Sequence, residues 1–166
     1  MTVVYYEGER IYFRPIEPVD EPVLRQWIND PRIWSTLGHR GPINEPRERE
    51  FIENAYKNTD TDRIFGVTVK SDDRLIGTVG LHHIHPINRR ATFGMLIGDV
   101  DCHDQGYGTE AVRLAVRFAF EELNLNRVEL CVFDHNPRAI RVYERTGFVR
   151  EGCSRQSFFR HGRYHD

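Results

Sequence analysis

A short apolar run, Phe93-Gly94-Met95-Leu96-Ile97-Gly98, is followed closely by Gly106-Tyr107-Gly108-Thr109-Glu110-Ala111 and then by a long amphipathic stretch reaching about Leu123. This order reads as strand, glycine turn, helix. Ala111, Leu114, Ala115, Phe118 and Ala119 form one apolar stripe, widened by Val112, Val116 and Leu123, as expected for a helix laid on a sheet. A glycine-bearing turn that feeds a helix N-terminus is an anion site, because free N–H groups and the helix dipole point outward there. The glycines let the backbone approach a phosphate without a Cβ in the way. The junction therefore limits the chain to α/β arrangements and marks it as one that grips a phosphorylated ligand.

The rest of the chain narrows the class further. At 166 residues it fits one domain with an ordinary core. Lysine and arginine number 23 against 25 acidic residues, for a net charge of −2 with neutral histidines, so the basic footprint of a nucleic-acid binder is missing. No apolar run approaches the roughly 20 residues of a membrane span. Met1 to Arg10 lacks the charged-then-apolar pattern of a secretory leader. Cys102, Cys131 and Cys153 are an odd number without a CxxC pair, which predicts reduced thiols in a cytoplasmic protein. Cys131 lies in an apolar strand pattern and is expected as a buried structural thiol. No base sits at a spacing that would make any of the three a nucleophile.

Along the chain, Ile11, Phe13 and Ile16 predict a first strand ending at Pro15 to Pro18. Val23, Leu24, Trp27 and Ile28 recur at helical spacing until Asp30-Pro31. Asn44 is placed to cap a second helix with Phe51, Ile52, Ala55 and Tyr56 inward. Strands are expected at Ile64 to Val69, Leu75 to Leu81 and Arg90 to Gly98, the first two joined by Ser71-Asp72-Asp73. After the long helix, Arg127 to Phe133 has a buried-strand pattern. Asn136-Pro137 opens the last helix and Gly147 closes it. Phe148 onward reads as a further strand, and His161-Gly162 as a hairpin turn. With no repeat or linker, this is one mixed α/β (α+β) domain.

A lone Gly-x-Gly does not name a ligand. The Lys-Ser/Thr of a Walker A loop is missing, and the loop sits mid-chain after a strand meander, where a dinucleotide fingerprint would open an early βαβ unit. Three blocks together are more specific: Phe93 to Gly98, Gly106 to Ala111, and Asn136-Pro137-Arg138-Ala139-Ile140-Arg141-Val142-Tyr143-Glu144-Arg145-Thr146-Gly147-Phe148. In order and spacing they resemble the GNAT superfamily of N-acetyltransferases, in particular its ribosomal-protein and polyamine acetyltransferase branch. With the looser N-terminal order of elements, the resemblance covers nearly all of residues 1–166.

The resemblance implies a GNAT-like fold: a central, mostly antiparallel mixed sheet with a splayed parallel pair, flanked by helices. It implies acetyl-CoA as co-substrate. Backbone groups of Met95, Leu96 and Ile97 would bond the pantetheine arm. The loop of His103, Asp104, Gln105, Gly106, Tyr107, Gly108 and Thr109 would hold the pyrophosphate, with Asn136 and Ala139 facing the cofactor. Tyr143 would stand near the sulfur as general acid to the departing thiolate, while an N–H of the Met95 strand stabilises the oxyanion. No metal is implied. His82, His83 and His85 lack a cysteine or carboxylate at ligand spacing.

Several positions depart from the family pattern. His103 stands where Arg or Gln is usual, Asp104 where Gly is frequent, and Gln105 where a basic residue is frequent. Aspartate tolerates positive φ, so the turn is expected to survive with weaker cofactor binding. Thr92 occupies the place of a frequent glutamate base, and threonine cannot do that work. His83 or His85, expected on one face of a strand, are substitutes, as is a water-mediated route without a dedicated base. The family continues past Tyr164-His165-Asp166 with one more apolar strand beside Val128 to Phe133. Its lack would leave an edge open, to be covered by a loop, by a partner, or by a second copy as a homodimer, unless the sequence is cut short there.

The expected reaction is acetyl transfer from acetyl-CoA to a primary amine, either a protein or peptide N-terminus or a small polyamine of spermidine type. A polyamine needs carboxylates, for which Glu17, Asp20 and Glu21 are candidates. A peptide needs an open groove between Trp34 to Pro42 and the Phe158 to Gly162 hairpin. A non-catalytic acetyl-CoA-binding module is the reading from another class, and thiol release on an amine panel separates it from an enzyme.

Overall fold

The computed structural model describes residues 3–57 and 59–166. Its centre is a six-stranded sheet in sequential order: β1 (Tyr6–Glu7), β2 (Ile11–Arg14), β3 (Arg63–Val69), β4 (Leu75–His85), β5 (Arg90–Ile97) and β6 (Arg127–Glu129). Neighbours are antiparallel except β5 and β6, which are parallel. Alternation along the strands sends side chains to two faces. Ile11, Phe13, Phe65, Val67, Val79, Leu81 and Phe93 pack on α4 (Tyr107–Glu121) through Ala111, Leu114, Ala115 and Phe118. The opposite face carries α1 (Glu21–Asn29) and α3 (Glu45–Lys57), with Ile16, Leu24, Trp27 and Ile52 in a second, smaller core. No helix among the described residues is long and apolar enough to cross a membrane.

Chain punctuation explains the element ends. Pro31 cannot continue α1, but its fixed φ suits a helix start, so a separate turn, α2 (Pro31–Trp34), begins with the Asp30 carboxylate accepting from the Arg32 N–H. That turn was not expected. Asn44 caps α3 through the Arg47 N–H (3.2 Å) as expected. Ile52 and Ala55 are buried, but Phe51 and Tyr56 lie outward and Glu48 takes the inner position. The short α5 (Pro137–Arg145) starts at Asn136, whose Oδ1 accepts from the Ala139 N–H, and stops at Gly147 with φ +97°.

Two predicted strands are shorter or missing. Arg127 to Phe133 pairs only through Glu129, and no strand forms directly after Phe148. Both follow from the sheet opening: beyond Thr92 there is no neighbour for Leu130 to Phe133 to pair with. Cys131 is consequently exposed, contrary to expectation. The hairpin about His161-Gly162 is present as β7 (Phe158–Arg160) and β8 (Arg163–His165), in a sheet of its own.

Candidate active site

β5 and β6 stay together for three pairs, Arg90↔Arg127, Ala91↔Val128 and Thr92↔Glu129, and then part. Phe93, Tyr143 and Phe148 occupy the angle on the α4 side, with Phe93 and Tyr143 edge-to-face at 6.1 Å and 84°. The parting opens a cleft of about 600 Å³ through the sheet. One wall is Phe93 to Ile97 and the other Cys131 to Phe133; one mouth opens beside the N-terminus of α4, the other beside Ile33, Thr36, Leu37 and Gly38.

Backbone geometry shows which groups of β5 face this gap. Gly98 N–H donates to Ile76 of β4 (2.9 Å). By the two-residue alternation, Leu96 and Gly94 also turn their amides to β4, leaving Met95 and Ile97 facing the cleft. Of the three residues expected to meet a pantetheine arm, Leu96 therefore lines the cleft without offering it backbone groups. The Ile97 carbonyl is already engaged, accepting from His103 Nε2 at 2.8 Å.

At the first mouth, Gly106 enters α4 with φ +85° and no side-chain cap, so the N–H groups of the first turn are unclaimed by a cap. Asp104 holds φ +59°, the left-handed turn predicted for it. Asp104, Gly106, Gly108 and Thr109 line the cleft, but Gln105 and Tyr107 do not. Tyr107 lies under the Arg10 guanidinium (4.5 Å), which also hydrogen-bonds the Gln105 carbonyl. Glu110 secures this turn to β2 by accepting from the Arg10 and Ile11 N–H groups (2.7 and 3.2 Å). The expectation that every residue from His103 to Thr109 faces the ligand is corrected for these two: Tyr107 packs toward the core beneath Arg10, and the exposed Gln105 side chain donates back to the Asp101 carbonyl.

Sequence reasoning missed the cations opposite this turn. Arg138, Arg141 and Arg145 all line the cleft from α5, and Arg138 reaches His103 Nδ1 at 2.7 Å. Their i, i+3, i+7 spacing on a helix was the available signal. Arg138, through His103, places positive charge beside Asp104 and so offsets its repulsion of a pyrophosphate. Asn136, Ala139 and Tyr143, the residues expected to face the cofactor, line the same wall. Burial pushes the Tyr143 phenol up to about 12, so it is a neutral O–H donor across the physiological range. Burial also raises the Cys102 thiol, with nearby Asp99 adding to it, which removes it as a nucleophile.

The histidines of β4 differ from expectation. A bulge between His82 and His85 breaks the alternation, so His83 and His85 do not share a strand face. His83 is exposed with φ +52°, and His85 Nδ1 accepts from the Asn88 N–H in the turn. His82 instead pairs with Asp62, Nδ1 to Oδ1 at 2.8 Å. Among the described residues, the cluster with donor atoms close enough for a metal ion is Asp134, His135 and His165. There the Asp134 carboxylate accepts from His165 Nδ1 at 2.9 Å and ties the hairpin to the end of the cleft wall.

The acceptor candidates change as well. Asp20 is buried against Arg14 (2.8 Å) and shares reciprocal caps with Glu17, while Glu21 is buried against Arg25. All three carboxylates are committed to the fold and none lines the cleft. The groove that a peptide acceptor would need between Trp34 to Pro42 and the hairpin is tied shut. Arg160, 4% exposed, donates to the carbonyls of Trp34, Leu37 and His39 at 2.9–3.0 Å, and Arg40 donates back to Phe159.

Comparison with known proteins agrees with this geometry. Residues 10–149 match the acetyltransferase (GNAT) domain family. A probable N-acetyltransferase of Bacillus subtilis, YjcK, is 34% identical over 96% of this chain and 92% of its own length. The spermidine N(1)-acetyltransferase of Vibrio cholerae is 34% identical over 96% and 90%. A crystal structure of the Vibrio cholerae spermidine N-acetyltransferase in complex with CoA and spermine superposes with a TM-score of 0.87 at 28% identity, covering 96% of this chain and 92% of that one. The splayed strands, the glycine turn and the helix bearing Tyr143 are thus the parts of an acetyl-CoA-dependent N-acetyltransferase, and the chain belongs to the GNAT family.

Proposed function

We propose that this enzyme acetylates a terminal primary amine of a slender polyamine. The observation that carries the reading is the Arg160 staple, which ties shut the lateral groove a peptide would need, with Thr36 to Gly38 lining that end of the cleft. The likeness to a spermidine N-acetyltransferase along almost the whole chain supports the same acceptor class. Asp104 is the one carboxylate lining the cleft among the described residues, and it lies at the phosphate mouth. The second positive charge of a polyamine therefore stays outside the cleft.

Chemically, the N–H groups at the start of α4 and Arg138 take the pyrophosphate of acetyl-CoA. The thioester lies between Met95 and Tyr143, and a Met95 or Ile97 N–H facing the cleft stabilises the oxyanion formed by amine attack. With its pKa at about 12, the Tyr143 phenol lies roughly 3–4 units above an ordinary thiol. It acts by donating a hydrogen bond to the departing thiolate and does not surrender its proton outright. Self-association belongs to the same proposal: a Vibrio cholerae spermidine N-acetyltransferase, 29% identical, is described as dodecameric, and light scattering with size exclusion tests whether this chain assembles.

Following free thiol while acetyl-CoA is mixed with spermidine, spermine, an aminoglycoside and short peptides tests the acceptor. Spermidine and spermine are expected to release CoA fastest. A peptide turned over with higher kcat/KM than spermidine would overturn the polyamine reading.

A further inference from the structure

A polyamine amine arrives as an ammonium ion and must lose a proton before its nitrogen has a lone pair to attack with. We propose that His82, held in place by Asp62, is the group that accepts this proton. The inference rests on the amine-acetyltransferase reading above.

The geometry selects His82 and fixes its tautomer. Asp62 Oδ1 lies 2.8 Å from Nδ1, and an ionised carboxylate only accepts, so Nδ1 carries the proton and Nε2 the lone pair. Asp62 stays ionised: burial alone would raise its pKa, but the Thr61 hydroxyl (2.7 Å), the His82 hydrogen bond and the neighbouring His82 and His83 rings together lower it. The Nε2 end of the imidazole sits against two glycines. A side chain at Gly80 would collide with it, and a Cβ on Gly94 would stand 3.4 Å from Nε2. Gly94 is part of the cleft wall, and His82, which does not itself line the cleft, packs against that wall with Nε2 from the sheet face opposite Val79, Leu81 and Phe93. The ring is one-third exposed, enough to pass a proton to water.

The neighbouring groups are unsuited to the task. Thr92, the cross-strand partner of His82, offers only a hydroxyl. His85 Nδ1 is taken by the Asn88 N–H, and His83 points outward from a left-handed residue. His103 has its two nitrogens engaged by the Ile97 carbonyl and Arg138. An Asp–His pair with one nitrogen anchored and, among the described residues, no hydrogen-bond partner on the other is the arrangement that orients a general base.

The step balances as follows. The ammonium gives one proton to Nε2 and becomes a neutral amine. Its lone pair forms the N–C bond to the thioester carbonyl, the C–S bond breaks, and the pair leaves on sulfur. The second nitrogen proton passes to the thiolate past the Tyr143 hydroxyl, giving CoA thiol and the acetamide. His82 then releases its proton to water.

The test compares spermidine with 2,2,2-trifluoroethylamine, a weakly basic primary amine already neutral at pH 7.5 and needing no deprotonation before attack. His82→Gln is expected to lower kcat/KM for spermidine by about 100-fold and for trifluoroethylamine by less than about 3-fold. Asp62→Asn, which keeps the imidazole and releases it, should give about a 10-fold loss on spermidine alone. Calorimetric acetyl-CoA affinity should be unchanged in both variants. Equal losses on the two amines, unchanged spermidine turnover, or loss of acetyl-CoA binding in both variants would overturn the assignment. Wild-type enzyme that turns over neither amine would overturn the amine-acetyltransferase reading itself, and this assignment with it.

Discussion

The two mouths of the cleft are built by opposite means. The phosphate mouth is nearly local: Asp104, Gly106 and the first turn of α4 are adjacent in sequence, and the facing cations repeat along one helix. The acceptor mouth is assembled from residues far apart. Arg160 reaches back more than a hundred positions to Trp34, Leu37 and His39, and His82 finds its partner in Asp62 across two strands. A mouth made of turn geometry holds a ligand common to many enzymes. A mouth made of distant contacts is free to vary with the acceptor.

The strongest way to break this division is at the junction of the two mouths. Tyr143→Phe removes a buried hydrogen-bond donor to the departing sulfur, which should lower kcat by about 100- to 1,000-fold while acetyl-CoA affinity by calorimetry stays within twofold. Unchanged turnover would take Tyr143 out of the chemistry. Next in size, Arg160→Ala leaves the carbonyls of Trp34, Leu37 and His39 without their donor. About 3 kcal/mol of stability should be lost, or a Tm lower by roughly 6–12 °C in calorimetry. Peptide acceptors should gain relative to spermidine as the groove opens. A variant as stable and as selective as the wild type would contradict the staple.

The alkaline limb gives a slightly smaller effect. Tyr143 titrates at about 12 when folded against about 10 when unfolded. The raised value means its contribution is complete below pH 10 and falls as pH rises toward 12, by about 2–3 kcal/mol at most. Urea unfolding at pH 8 and pH 11 should show a steeper alkaline loss in the wild type than in Tyr143→Phe, and parallel losses would count against the buried phenol. At the phosphate mouth, Arg138→Ala should weaken acetyl-CoA about tenfold, the weight of one charge-assisted contact, with a shallower salt dependence. Smallest of all, Asp104→Gly removes a like charge and relieves a left-handed residue. A calorimetric titration should show acetyl-CoA bound about threefold tighter, consistent with a modest exposed-charge effect, and looser binding would show that the aspartate assists.

What could be read from the sequence follows the same division. The helices over 21–29, 45–57, 107–121 and 137–145 were legible because caps, prolines and apolar spacing are local signals. So were the positive φ at Asp104, the glycine turn at Gly106 and the cap at Asn136. The bulge between His82 and His85 was not, since one inserted residue leaves no mark in composition yet reverses which side chains share a face. Nor could spacing show that Asp20 and Glu21 are held by Arg14 and Arg25 inside the fold. The apolar pattern from Leu130 to Phe133 read as a buried strand, but at a splay those residues line a cleft. Apolar alternation alone does not distinguish the two.

Residue-resolved amide shifts test the division of the cleft most directly. Acetyl-CoA titrated into the enzyme should perturb 103–109 and the cleft-facing amides of Met95 and Ile97. Spermidine titrated into the CoA-bound enzyme should perturb 36–38 and the neighbourhood of His82 and Asp62, leaving 103–109 unmoved. Shifts by both ligands on one and the same set of residues, or acetyl-CoA leaving 103–109 unmoved, would contradict a cleft with a phosphate mouth at one end and an acceptor mouth at the other.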